Sequence, residues 1–72
     1  MELKIGATYF MFCKFPDMKR HAMLTSDGRT TNRKIHAALF PVLDNDRKER
    51  YEHLLTTYRH DYPDGNLEYR LA

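Results

Sequence analysis

The chain has 72 residues, 42% of them hydrophobic and 31% charged, with a formal net charge of +2. Such a length makes one domain, spanning 1–72, which can bury only about 60% of its unfolded surface. The composition excludes a disordered chain, and the longest apolar run, Ala7 to Cys13, is far too short to cross a membrane.

The single cysteine rules out an internal disulfide and fits a reducing, cytoplasmic setting. No basic segment followed by an apolar core and a small-residue cleavage site opens the sequence, so no signal peptide is expected. Charge is unevenly placed. Residues 1–43 carry seven Lys or Arg against three Asp or Glu, whereas residues 44–72 carry five against seven. The densest basic part runs from Lys19 to His36, where Asp27 is the one acid.

Residues 3–15 read as a long first strand rich in β-favouring and aromatic side chains. Leu3, Ile5, Ala7, Tyr9, Met11, Cys13 and Phe15 share one face by the period of two, and that face is assigned to the core. The opposite face holds Glu2, Lys4, Gly6, Thr8, Phe10, Phe12 and Lys14. Pro16 and Asp17 turn the chain. A second strand follows over roughly His21 to Thr25, closed by the turn Ser26-Asp27-Gly28-Arg29, where Gly28 supplies positive φ.

Residues 30–43 admit two readings. A strand would align Ile35, Ala37 and Leu39, with Ala38 and Phe40 breaking the alternation. A helix would align Ile35, Ala38, Leu39, Val42 and Leu43, with Thr31 as N-cap and Pro41 ending it near Leu39. The helix fits the pattern better.

The main helix is expected from Asp46 to Tyr62. Tyr51, Leu54, Leu55, Tyr58 and Tyr62 form one stripe at 3.6 residues per turn. Asp46 serves as N-cap, Glu49 completes a capping box, and Pro63 forces a stop. Pro63-Asp64-Gly65-Asn66 is a turn. Asn66 to Ala72 then alternates as a half-buried strand, with Leu67, Tyr69 and Leu71 on one side. The expected fold is a small α+β domain, ββααβ: a three-stranded, mostly antiparallel sheet with helices on one face.

Chemistry-bearing patterns are sparse. Cys13, His21, His36, His53 and His60 form no close ligand pair, so no metal site and no cofactor are expected. Cys13 falls on an apolar face, Glu49 and Glu52 fall on the helix's water face, and the three glycines are isolated. An enzyme is therefore not expected.

Two binding readings remain. If helices cover one sheet face, Phe10 and Phe12 on the other, rimmed by Lys4 and Lys14, make an aromatic anchor for a protein partner. This describes a non-enzymatic module docking on another protein as an adaptor or steric inhibitor, of a size common among accessory proteins of mobile elements. The open sheet edge offers a route to a homodimer. The alternative is a nucleic-acid binder using Lys19, Arg20, Arg29, Asn32, Arg33 and Lys34, with phosphate held at the start of a helix over 31–39.

Overall fold

The computed structural model describes residues 3–72; Glu2, placed above on the first strand's polar face, lies outside them. Everything is arranged around one strand, β1 (Thr8–Cys13). It is shorter at its start than the alternation implies. Gly6 takes a φ of +94°, donates its N–H to the Val42 carbonyl at 2.7 Å, and lies within a turn closed by the Ala7 N–H on the Lys4 carbonyl. Only glycine adopts that φ without strain, so the strand begins after it. Ile5 is consequently 54% exposed rather than core, although Leu3 is buried.

β1 is paired on both edges, antiparallel throughout. One edge takes β5 (Glu68–Leu71), in register Tyr9 to Leu71 and Phe12 to Glu68. The other edge is shared end to end by two short strands. β2 (Ala22–Leu24) pairs with Phe12 and Cys13, and β4 (Phe40–Pro41) pairs with Thr8 and Tyr9. β3 (Thr30–Thr31) returns along β2. Gly28, at φ +83°, makes the β2–β3 turn, which the Thr25 N–H closes on the Arg29 carbonyl. The sheet therefore has five strands among the described residues, not three.

The added strands replace the second helix expected over 31–39. Only one 3-10 turn, Lys34–His36, forms there. Pairing won over the local pattern: the Ala38 N–H reaches the Leu24 carbonyl at 2.9 Å, and the Val42 N–H reaches the Ala7 carbonyl at 2.9 Å. Ile35, Leu39 and Leu43, three members of the supposed apolar stripe, are 84%, 59% and 63% exposed.

The one α-helix among the described residues, α1 (Asn45–Asp61), starts one residue before the expected span and carries its cap two residues earlier. Asp44, not Asp46, is the N-cap. Its carboxylate accepts the Arg47 N–H at 2.9 Å and pairs with the Arg47 guanidinium at 2.7 Å. That puts Glu49 beyond the third helical position, so the capping box does not form. Asp46 lies in the first turn, where its charge still suits the helix dipole. The helix ends at Tyr62, and Pro63 opens a 3-10 turn, Pro63–Gly65. Asn66 then adopts a left-handed conformation and leads into β5.

The helix lies on the odd-numbered face of β1, and the core is built there. Tyr9, Met11, Cys13, Phe40, Val42, Leu55, Leu67 and Tyr69 are buried together, with Tyr51, Leu54 and Tyr58 packed half-buried against them. The predicted stripe holds except for Tyr62, which is 51% exposed. Phe40 meets Tyr51 and Tyr69 edge-on, at centroid distances of 5.2 and 5.3 Å. The buried Tyr69 hydroxyl donates to the Tyr51 carbonyl at 2.7 Å, which meets the rule that a buried hydroxyl needs a partner.

Candidate docking face

The even residues of β1 point away from α1. Directly opposed residues of an antiparallel pair share a face, so Phe10 and Phe12 lie with Arg70 and Glu68 of β5 and with Met23 of β2. One step further in the β1–β4 register, Leu39 comes across from Phe10. Its neighbours Ala38 and Phe40 turn inward against the core, which leaves Leu39 outward. Met23 is buried but stands apart from the main core, so this face has a small apolar cluster of its own.

Phe10 and Phe12 are half-buried, neither bare nor core. Two cations and an imidazole ring cover much of what the sheet leaves open. The Arg70 guanidinium lies 3.7 Å from the Phe12 ring centre, the His21 ring 4.8 Å from it, and the Lys34 ammonium 5.8 Å from the centre of Phe10. Arg70 is held in place by Glu68, at 2.6 Å.

Beside Phe12, beyond the end of β1, lies a shallow basin of about 420 Å³ lined by Lys14, Lys19, Arg20, His21 and Asn32, with no acidic side chain in its wall. Lys14 donates to the Met18 carbonyl at 2.6 Å, which fixes its ammonium at the rim.

The fold thus merges two groups that the sequence keeps apart. Lys14, expected beside the phenylalanines, is there. Lys19, Arg20, Asn32 and Lys34, expected as a separate basic region, come to the same side. Three residues do not join as expected. Lys4 sits in the turn before β1, so the strand alternation that put it beside Phe10 does not apply. Arg29 is at the hairpin tip, ion-paired loosely with Asp27 at 3.7 Å. Arg33 precedes a three-residue 3-10 turn and donates its N–H to the Thr31 hydroxyl. There is no α-helix start at 31–33, so the helix-dipole phosphate site is withdrawn. Arg70, His21, Met23 and Leu39 were missed. The alternation Glu68-Tyr69-Arg70-Leu71 put Arg70 on the outward face, but only the register shows that it covers Phe12.

The remaining reactive group is enclosed. Cys13 is buried, and burial raises its thiol pKa, partly offset by a hydrogen bond with the Ala22 backbone. A thiol held neutral in an apolar wall is a poor nucleophile. Among the described residues, no three His, Cys, Asp or Glu side chains gather at metal-binding spacing, and no helix is long and apolar enough to cross a membrane. No family model matches the chain, and comparison with curated proteins and with solved structures likewise finds no match.

Proposed function

We propose that this protein is a small non-enzymatic binding module that docks through the helix-free sheet face onto an acidic-rimmed surface of another protein, as an adaptor or steric inhibitor. The observation that carries this reading is the pairing of half-buried Phe10 and Phe12 with Lys14, Lys34 and Arg70 around them. An apolar centre within a polar rim is the usual anatomy of a protein interface. Exposed Leu39 favours a protein over a nucleic acid, since bases stack on rings but gain little from aliphatic side chains. Arg70 is paired with Glu68, but Lys14 and Lys34 add positive charge to the face and favour an acidic partner. The free, buried thiol suits a cytoplasmic setting.

One observation favours a second reading: the basin of Lys14, Lys19, Arg20, His21 and Asn32 adjoins an aromatic ring, an arrangement that also suits single-stranded nucleic acid.

The test is capture by the tagged chain, with and without nuclease, compared across three variants. Phe10→Ser with Phe12→Ser and Lys14→Glu with Lys34→Glu should each lose the partner, while Arg29→Glu at the hairpin tip should keep it. A partner that survives nuclease and both face variants overturns the face. A partner lost to nuclease, with oligonucleotide binding that weakens steeply as salt rises, moves the assignment to nucleic acid. Sedimentation of the chain alone separates a homodimer from either.

A further inference from the structure

A concavity of about 370 Å³ lies on the other side of the sheet, between the β2–β3 hairpin and the end of α1. The fully buried Met11 and Cys13 form its floor. Leu24 and Leu67 flank them, Phe15 and Tyr58 make walls, and Gly28, Thr30 and Tyr62 stand at the opening. No charged side chain lines it.

We propose that this concavity is a binding site for a small neutral aromatic molecule of about indole size, carrying one hydrogen-bonding group. Four observations converge on that class. The volume is more than twice that of an apolar cavity of about 150 Å³ that takes up benzene, and it falls at the small end of ligand pockets. Phe15 and Tyr58 present ring faces or edges, good partners for an aromatic guest. The wall carries no charge to neutralise, so an ionised guest would lose its hydration without a counter-charge. The Tyr58 and Tyr62 hydroxyls make no hydrogen bond with any described residue, which leaves donors at the opening for one polar group of the guest.

The site is independent of the docking face, which lies across the sheet from it.

The experiment is an NMR titration of the ¹⁵N-labelled full chain with indole, and separately with indole-3-acetate as the charged counterpart. Saturable shifts centred on Cys13, Leu24, Thr30 and Tyr58 are expected. The apparent Kd should be roughly 0.1–1 mM, the range a guest of about nine heavy atoms reaches at ordinary ligand efficiency. Indole-3-acetate should bind about tenfold or more weakly. Leu24→Phe, which puts a ring into the space, should abolish indole binding and keep or raise the melting temperature.

Shifts that do not saturate up to the solubility of indole, or that centre on Phe10 and Phe12, overturn the proposal whatever the variant does. Equal binding of indole by Leu24→Phe overturns it as well, and so does equal affinity for the charged analogue.

Discussion

Replacing Phe10 and Phe12 together by serine separates a docking face from a core by stability alone. Full burial of one phenylalanine side chain provides about 1.5–3 kcal/mol. Each ring is mostly covered in the chain, so most of that, about 1–2.5 kcal/mol, is lost per residue. The Arg70 guanidinium over Phe12, at 3.7 Å, adds about 0.5–1 kcal/mol. The double variant should therefore cost about 2.5–6 kcal/mol. A 72-residue domain has roughly 4–11 kcal/mol in hand, so the melting temperature should fall by roughly 10–45 °C. Serine hydroxyls on a half-open face still find water, so no unsatisfied polar group is added. The assay is circular-dichroism melting, with urea unfolding as a check on the slope. Two results refute the reasoning. Melting like wild type means the rings pack on nothing, and a loss well above about 6 kcal/mol in the urea series means that they belong to a closed core, where two truncations would cost roughly 6–10 kcal/mol.

Leu55→Ala, at the most buried position of α1, should cost about 2–5 kcal/mol and bring the domain close to unfolding at room temperature, as read by urea denaturation. Asp44→Ala removes the helix cap and the Arg47 ion pair and should cost about 1 kcal/mol, whereas Asp46→Ala should cost only a few tenths; equal losses in thermal melts would return the cap to Asp46. Cys13 has a folded pKa raised by burial, so the unfolded chain sheds its thiol proton first. Stability should be full below the unfolded thiol's pKa of about 8.5 and fall as pH rises from there through the folded value. Chemical unfolding at a series of pH values checks this, and Cys13→Ala should flatten that part of the curve. Tyr69→Phe should cost about 1 kcal/mol by deleting the buried hydrogen bond to the Tyr51 carbonyl, measured in the same urea series.

Much of the fold is legible in the sequence because the strongest periodicities are honoured. Tyr9, Met11 and Cys13 face inward at a period of two, Leu55 with its neighbours faces inward at 3.6, and the alternation at Leu67 and Tyr69 marks the last strand. Residues 30–43 were misread for a physical reason. A two-residue strand has no period of its own, and Phe40 and Pro41 are held by pairing with Thr8 and Tyr9, which lie some thirty positions away. The helical spacing of Ile35, Leu39 and Leu43 was coincidental. An isolated glycine within a strand pattern signals a break, and Gly6 was such a signal. The site was half legible. Period two separated Phe10 and Phe12 from the core side, but bringing Lys19, Arg20 and Asn32 beside them required the hairpin, and seating Arg70 on Phe12 required the β1–β5 register.

The sharing of one edge of β1 by β2 and β4, with β5 on the other, has a consequence for how the chain comes to its native state. Every pairing but the β2–β3 hairpin runs through β1, and its longest partner, β5, is made some sixty residues after it. Until Leu67 to Leu71 leave the ribosome, one side of β1 stays unpaired and Tyr9 and Met11 lack the Tyr69 ring above them. Loop closure on that scale is slow. The nascent chain therefore carries an exposed apolar strand until β5 emerges, and a stall upstream of residue 67 should leave a species that a chaperone holds and a protease cuts, while a chain with β5 in place resists both.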